Sequence, residues 1–318
     1  MTQTRWAVLG TANIAAKSFL PAMRDAGGRA VVVGSRAPGS ARARAWADAN
    51  QVERVADYDA AIHDDEVDAI YIALPNREHT TWTARATATG AAVVCEKPLG
   101  VDLPDTQALL DAIQPGTLLW EGFVFPFHPQ TLVIRSELAE LGRIREITSE
   151  FHFTARDPSR NIRWQADLGG GALRDVGCYC VRFARLILDA EPVSAVARAF
   201  IEHGVDAEIA AVLDFPGERR LIMSAGMRGA VSTFTRVIGD AGELRISNPF
   251  HPRTGDTVQR WTGGSCVAEW SAGEKPAFQF GIEHVQAVLR GAEPPRHLAA
   301  TDSAGNARAF DMIAAAAR

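Results

Sequence analysis

The sequence has little cysteine and no long apolar run. Its 318 residues include four cysteines, Cys95, Cys178, Cys180 and Cys266, and no CxxC pair. A metal site is therefore not expected, and reduced thiols in a cytoplasmic protein are the plain interpretation. No apolar segment approaches the ~18 residues of a membrane-spanning helix, and the N-terminus lacks the apolar segment of a signal peptide. We accordingly expect no association with a membrane.

An excess of positive charge is also missing. The chain has 33 Lys and Arg residues against 38 Asp and Glu, for a net charge of -5. No basic surface is expected, so nucleic acid is not an expected partner. With 47% hydrophobic and 22% charged residues the composition is that of an ordinary globular protein. The length predicts about two domains.

Strands alternate with helices in the first part of the chain. The apolar strand segments are residues 5–10, 30–34, 69–75, 91–95 and 117–120. Helical segments, among them 43–50 and 78–89, separate them. This alternation predicts an α/β fold with a doubly wound parallel sheet, a Rossmann dinucleotide-binding domain over residues 1–122.

The pattern changes in the second part. Successive short strands at 193–201, 207–215, 220–225, 234–238 and 244–247 have no helices between them. They predict an α+β domain over residues 123–318 with a large, mainly antiparallel open sheet. Helices return at 278–290 and after residue 301, and the C-terminal helix is a candidate to pack back on the first domain.

The first strand leads into a possible phosphate loop. The dinucleotide fingerprint is GxGxxG, and the sequence here is Gly10-Thr11-Ala12-Asn13-Ile14-Ala15. Alanine is an accepted third position, but Ala12 replaces the glycine that lets the backbone approach the pyrophosphate. The alternative is a plain strand-turn-helix.

The second strand end bears on the coenzyme. NAD enzymes place an acidic residue there to bind the ribose 2′-hydroxyl, whereas this strand ends Gly34-Ser35-Arg36. Serine can hydrogen-bond a 2′-phosphate and arginine can clamp it. The prediction is therefore NADP, with NAD as the alternative, unless Arg36 is simply one of several exposed arginines.

Glu96-Lys97-Pro98 closes a buried strand with charged residues. Ligands of open α/β sheets bind at this end of the strands. A Lys-Pro bond adopts the cis form far more readily than other peptide bonds. The motif predicts a rigid turn that aims an ammonium group at a bound molecule, and the alternative is a solvated lysine.

A second candidate group follows three glycines, Gly169 to Gly171. Asp175 and Tyr179 are four residues apart on the predicted helix and share a face beside its apolar stripe. That boundary is where a cleft can form. Alternatively, Asp175 interacts with the helix dipole and Tyr179 bonds to backbone. The stripe consists of Leu173, Val176, Cys180, Phe183 and Ile187.

Together these motifs resemble the Gfo/Idh/MocA oxidoreductases, nearest to the branch of dimeric dihydrodiol dehydrogenase and NADP-dependent D-xylose dehydrogenase. The resemblance covers essentially the whole chain. It rests on five segments: residues 10–15, Leu74-Pro75-Asn76 with His79, 95–99, 121–130, and 169–180. Pro126 departs from the pattern, because sugar-dehydrogenase relatives often carry arginine there.

The resemblance implies site residues and assembly. Lys97 and Tyr179 would be the catalytic pair beside the nicotinamide, and Asp175 would help to hold the substrate. The outer face of the C-terminal sheet would form a homodimer or homotetramer. The implied cofactor-binding residues are Gly10, Thr11, Ala12, Asn13, Ile14, Ser35, Arg36, Leu74, Pro75, Asn76, His79, Glu96, Lys97 and Trp164. For Trp164 the alternative is an ordinary packed tryptophan.

The chemistry agrees with this assignment. A phenol is a weak base at neutral pH, but a nearby ammonium favours the phenolate. Lys97 can thus tune Tyr179 as the acid/base of a hydride transfer. The expected function is an NADP-dependent oxidoreductase acting on a sugar or cyclic polyol. The alternatives are a nucleotide-sugar ketoreductase of deoxysugar biosynthesis and a non-catalytic, dinucleotide-sensing regulator.

Overall fold

The computed structural model describes residues 3–317, which form two compact units. The first unit contains the chain up to Gly100, Pro104–Phe123 and Phe278–Ala304. The second contains Val101–Leu103, Val124–Ala277 and the chain from Gly305 onward. The segment Phe278–Ala304 thus belongs to the first unit, whereas the sequence placed it in the second domain.

Buried contacts explain that difference. The Trp120 indole donates to the Arg296 carbonyl at 2.8 Å, and the Ser303 hydroxyl donates to the Glu121 carboxylate at 2.6 Å. Ala299 lies in the apolar core of the first unit. These contacts join residues that are far apart in the chain, and no periodic pattern in the sequence predicts them.

The first unit is built on a parallel sheet, as predicted. Its strands, in chain order, are β1 (Arg5–Leu9), β2 (Arg29–Gly34), β3 (Arg54–Ala56), β4 (Ala69–Ile72), β5 (Ala92–Cys95) and β6 (Leu119–Glu121). Their spatial order in the sheet is β3-β2-β1-β4-β5-β6. The order reverses between β1 and β4, which is where such sheets bind ligands. The sequence did not indicate β3, whose three residues are partly exposed.

Helices connect these strands. They are α1 (Leu20–Asp25), α2 (Ala41–Ala49), α3 (Tyr58–Ile62), α4 (His79–Thr87), α5 (Leu103–Ala112) and, later in the chain, α8 (Ala277–Leu289). Pro21 lies in the first turn of α1 and lacks the N–H that would continue the hydrogen bonding of the helical turn before it. Ser40 caps α2 by accepting from the Ala43 amide. The helical segment before α1, Ala15–Phe19, is π-helical.

The second unit is built on a mostly antiparallel eight-stranded sheet. Its strands are β7 (Ile144–Thr154), β8 (Ser194–Glu202), β9 (Val205–Phe215), β10 (Arg219–Gly226), β11 (Arg228–Gly239), β12 (Glu243–Ile246), β13 (Thr257–Thr262) and β14 (Ser265–Ser271). Their spatial order is β14-β13-β12-β11-β7-β10-β9-β8. Only β7 and β10 pair in parallel among the described strands of this sheet. The predicted fold class is confirmed.

One face of this sheet is covered. Neighbouring strands place Ile147, Leu213, Leu221, Val237 and Leu244 in one row, and all five are fully buried. Helix α7 (Cys178–Leu188) packs against this face, and the unit also contains α6 (Pro129–Glu137) and α9 (Ser303–Ala316). Among residues 3–317 no helix is both long and apolar enough to cross a membrane.

Candidate active site

The loop after β1 has a conformation that requires glycine. Gly10 has a φ of 95°, and a Cβ there would lie 2.5 Å from the Ala73 carbonyl oxygen. Its amide donates to the Gly34 carbonyl at 3.0 Å. Thr11 and Ala12 are half-buried, and Asn13 and Ile14 are exposed at the start of the helix. This glycine-dependent turn at the switch point of the sheet fits a dinucleotide phosphate loop.

The end of β2 carries the residues predicted for the coenzyme's 2′-phosphate. The Ser35 hydroxyl accepts from the Ala37 amide at 3.2 Å. Arg36 is 65% exposed and forms an ion pair with Glu78. Burial raises the pKa of Tyr58, which also interacts with Arg36. The Arg36 guanidinium is therefore exposed to solvent, and it is paired with the Glu78 carboxylate, a contact that the sequence did not indicate.

His79 joins two loops at the carboxyl end of the sheet. The side chain is buried, and its Nδ1 and Nε2 lie 2.8 Å from the carbonyl oxygens of Pro98 and Leu74. Burial lowers the pKa of this imidazole. The contacts give His79 a structural role in these loops, and its role in cofactor binding stays a prediction.

The Glu96-Lys97-Pro98 turn is fixed from several sides. Lys97-Pro98 is a cis peptide bond, and Lys97 is half-buried. The Tyr71 hydroxyl donates to the Glu96 carboxylate at 2.6 Å, and the Tyr71 ring stacks on Phe19. The Glu96 carboxylate, which is buried, is thus held beneath the turn by the protein itself.

Glu121, which is also buried, fixes the far side of the same turn. Its carboxylate accepts from the Leu99 amide at 2.9 Å and from the Ser303 hydroxyl at 2.6 Å. Within the first unit, the predicted residues Leu74, Pro75 and Asn76 precede His79, which contacts this turn. Glu121 stands in one of the segments that carry the family resemblance, 121–130, but the sequence predicts no role for it.

Asp175 is held by an arginine in the second unit. The Arg163 Nε donates to the Asp175 carboxylate at 2.6 Å, and the Asp175 side chain is only 14% exposed. Arg163 also lies over the Phe153 ring at 5.5 Å. Its carbonyl accepts from the Gly171 amide, and a Cβ at Gly170 would lie 2.4 Å from that oxygen. The glycines thus allow the chain to fold tightly around Arg163.

Asp206, on β9, fixes the start of the helical segment that carries Asp175 and Tyr179. Its carboxylate accepts from the Leu173 amide at 2.6 Å. Gly171 has a φ of 118°, and a Cβ there would lie 2.0 Å from Asp206 Oδ1. Burial raises the pKa of Asp206, against the lowering effect of its backbone donors. Sequence reasoning missed Asp206, because nothing in a strand pattern marks a capping carboxylate.

Tyr179 lies in an aromatic cluster. Its ring is 5% exposed and contacts Phe151, Phe250 and Phe125, with centroid separations of 5.5, 5.3 and 6.5 Å. Its hydroxyl lies 3.2 Å from His251 Nε2. Residues 173–177, just before α7, are π-helical. His251 is thus a polar neighbour of the Tyr179 hydroxyl, and the motifs of the sequence gave no sign of it.

Trp164 is a packed core residue. It is 5% exposed, and its indole N–H donates to the Ala155 carbonyl at 2.9 Å. It lies in a buried cluster with Val205 and Met227. These contacts favour the alternative interpretation of Trp164 as a packed tryptophan, and its role in cofactor binding stays a prediction.

Family models match both parts of the chain. The model described as an oxidoreductase family with an NAD-binding Rossmann fold matches residues 4–120, and the model of the GFO/IDH/MocA C-terminal domain matches residues 136–245. The chain is 32% identical over 295 residues to the D-xylose 1-dehydrogenase (NADP(+)) 2 of Haloferax volcanii, covering 91% of this chain and 90% of the relative.

Two solved structures have the same fold over the whole chain. A 3-ketoreductase from Actinomadura kijaniata in complex with NADP and TDP-benzene matches with a TM-score of 0.86 and 30% identity, covering 100% of this chain and 98% of that one. An aldose-aldose oxidoreductase from Caulobacter crescentus complexed with glycerol matches with a TM-score of 0.88 and 25% identity, with the same coverage.

Proposed function

Because the chain belongs to the Gfo/Idh/MocA oxidoreductases, we propose that it transfers a hydride between NADP and a carbinol or carbonyl carbon of a sugar or cyclic polyol. The relatives named as a xylose dehydrogenase and an aldose oxidoreductase support this substrate class. The names of the xylose dehydrogenase and of the ketoreductase complex support NADP.

The described residues fit this coenzyme. Gly10 allows the tight turn that follows the first strand of a dinucleotide-binding unit, and Arg36 is an exposed cation after β2, where a 2′-phosphate would lie. When bound, NADP accepts or supplies the hydride. We propose that Gly10 to Ile14 hold the pyrophosphate, that Ser35 and Arg36 hold the 2′-phosphate, and that the backbone from Leu74 to Asn76 borders the nicotinamide side.

The fixed turn around Lys97 is the observation that carries this proposal. A half-buried lysine follows β5 at the ligand-binding edge of a parallel sheet. Buried side chains anchor the residues on both sides of it: Tyr71 holds Glu96, His79 contacts the Pro98 carbonyl, and Glu121 holds the Leu99 amide. A turn fixed in this way positions an ammonium group, as electrostatic catalysis requires.

We propose distinct roles for three residues. Tyr179 accepts the carbinol proton in oxidation and returns it in reduction. Lys97 stabilises the negative charge that develops on the substrate oxygen and favours the phenolate of Tyr179. Asp175, oriented by Arg163, accepts a hydrogen bond from a further substrate hydroxyl.

A nucleotide-linked keto sugar is the second candidate substrate. The similarity to the 3-ketoreductase from Actinomadura kijaniata favours it, because that structure holds a TDP derivative. The two candidates predict different activities. Oxidation of free aldoses or polyols by NADP supports the leading proposal, whereas reduction restricted to TDP-linked keto sugars supports the second. Binding of NADP without turnover of either class would contradict both and favour a regulator.

We propose in addition that the chain forms a homo-oligomer through the uncovered face of its eight-stranded sheet. Neighbouring strands align Val196, Val212 and Ile222 on this face, and Val196 is 68% exposed. Phe200 on the same face is 52% exposed. Exposed apolar side chains on an uncovered sheet face are candidates for a subunit interface. A cytoplasmic location is also proposed, in keeping with the low cysteine content of the chain.

A further inference from the structure

The strongest unassigned feature is the histidine beside the Tyr179 hydroxyl. We propose that His251 is the proton-exchange partner of Tyr179 and links the phenol to bulk water during hydride transfer. This inference rests on the proposed function, because it needs Tyr179 to be the acid/base. It names a positioning residue that acts through Tyr179 and that neither the motifs nor the resemblance indicated.

The geometry places a proton acceptor at the phenol. His251 Nε2 lies 3.2 Å from the Tyr179 oxygen, which is a long hydrogen bond of the kind seen in enzymes without substrate. The two rings pack edge to face with centroids 5.0 Å apart. Neutral imidazole with its proton on Nδ1 accepts the phenol O–H at Nε2. His251 is half-buried, whereas Tyr179 is 5% exposed, so the histidine is the more accessible of the two.

The loop that carries His251 is held in place. The Asn248 side chain accepts from the His251 amide at 3.1 Å and donates to the His251 carbonyl at 2.7 Å. Phe250 is fully buried and stacks on Phe151. The backbone that carries the imidazole is therefore held beside the aromatic cluster of Tyr179.

Other charged groups near this pair lie on three elements. Asp175 precedes Tyr179 by one turn and is paired with Arg163. Asp256 accepts from Asn248 and from the Arg253 amide in the loop of His251. Both carboxylates thus have donors of their own, and the His251 imidazole is a titratable group that the structure places against the Tyr179 hydroxyl.

The proton balance follows from this arrangement. In oxidation the Tyr179 phenol passes its proton to His251 Nε2, and the phenolate takes the carbinol proton as the hydride leaves for NADP. The C–H and O–H bonds of the carbinol break, a carbonyl forms, and the imidazolium releases one proton to water. In reduction His251 returns a proton to the phenolate. Neutral imidazole takes up the proton in oxidation and imidazolium returns it in reduction, so one side chain serves both directions.

The first test compares His251→Gln with wild type. Glutamine keeps a hydrogen-bonding group but cannot take up a proton. We expect kcat to fall about tenfold, below the ~10²-fold typical of a direct acid/base, with KM changed less than about twofold. The acidic limb of the pH profile for oxidation, which reports the need for neutral imidazole, should disappear. His203→Asn is the matched control, because His203 also packs edge to face on an aromatic ring, that of Trp164, and its left-handed backbone tolerates asparagine.

The second test separates chemistry from structure. In His251→Ala, added imidazole should restore at least about half of the lost rate, and it should restore none in Tyr179→Phe. NMR titration of wild-type imidazoles gives a readout that needs no turnover: the His251 signal should shift in Tyr179→Phe, and the His203 signal should not. An unchanged pH profile in His251→Gln, or no imidazole rescue, would overturn the inference while leaving the proposed function standing. Absence of turnover in wild type would instead refute the proposed function.

Discussion

At the scale of single residues, the proposed role of Arg36 in coenzyme choice depends on which charged groups its guanidinium contacts. In the structure it pairs with Glu78, whose side chain is 21% exposed. A 2′-phosphate must compete with this carboxylate, whereas a ribose 2′-hydroxyl need not displace it. Glu78 is therefore expected to weaken a preference for NADP that Arg36 creates.

Two substitutions test this opposition. Arg36→Ala should raise the KM for NADP about tenfold or more and change the KM for NAD little, because it removes a charge-assisted hydrogen bond. Glu78→Gln should lower the KM for NADP. Steady-state kinetics with both coenzymes provides the measurement, and Arg42→Ala, an exposed arginine nearby, is the control. Equal effects of Arg36→Ala on both coenzymes would contradict the role.

The sequence indicates some of these candidate residues and not others. Gly10, Lys97 and Tyr179 stand in motifs, so the sequence alone makes them candidates. Glu78, Asp206 and His251 stand in none, because each contacts a partner distant in sequence: Glu78 lies 42 residues from Arg36 and His251 lies 72 from Tyr179. For His79 and Trp164 the resemblance marks the position but does not give the buried contacts of the side chain.

At the scale of the element, the start of the α7 segment depends on the match between Gly171 and Asp206. Any side chain at Gly171 would displace the carboxylate that accepts from the Leu173 amide. Such a displacement leaves a buried carboxylate without one of its donors. The orientation of Asp175 and Tyr179 would change with it, because both follow on the same helical segment.

Gly171→Ala is therefore expected to destabilise the protein more than Gly204→Ala. Both glycines have positive φ, but no atom lies within 4 Å of a Cβ at Gly204, so the control isolates the clash from the backbone strain. We expect an additional loss of about 1–3 kcal/mol in the free energy of unfolding, measured in urea. Adding Asp206→Ala to Gly171→Ala should cost less than the sum of the single effects. Equal losses at the two glycines would refute this account of the cap.

Most elements were predictable and their exceptions have local causes. Strands such as β4 and β5 are short apolar runs, and α7 shows a clear apolar stripe. Strands β13 and β14 were not predicted, because they contain many partly exposed polar residues and lack a clear apolar run. The sequence also did not predict the π-helical turns at Ala15–Phe19 and Leu173–Gly177, because a wider turn leaves the apolar pattern nearly unchanged.

At the scale of the whole molecule, the uncovered sheet face predicts self-association. Multi-angle light scattering of wild type should give the mass of a dimer or tetramer. Val196→Glu with Phe200→Glu should shift it toward the monomer, because both side chains are exposed on that face. Leu132→Glu, an exposed apolar residue on α6, is the control. A monomeric wild type, or an unchanged mass in the double variant, would contradict the proposed interface.

The division of the molecule was harder to predict than its fold class. The alternation of strands and helices predicted the parallel sheet, and the series of strands without helices predicted the mainly antiparallel one. The place of Phe278–Ala304 in the first unit depends on contacts such as that of the Trp120 indole with the Arg296 carbonyl. The return of a late segment to an early unit leaves no local signal in the sequence.

The central claim is that this chain carries out hydride transfer with NADP and that Tyr179 moves the proton. The most direct measurement uses the free aldose or polyol with the highest kcat/KM, labelled with deuterium at the reacting carbon. The wild type should transfer the label to the nicotinamide, detected by mass spectrometry of the reduced coenzyme. Tyr179→Phe should bind NADP normally and lower kcat about 10²-fold or more. Unlabelled coenzyme in wild type, or a near-normal kcat in Tyr179→Phe, would contradict the account.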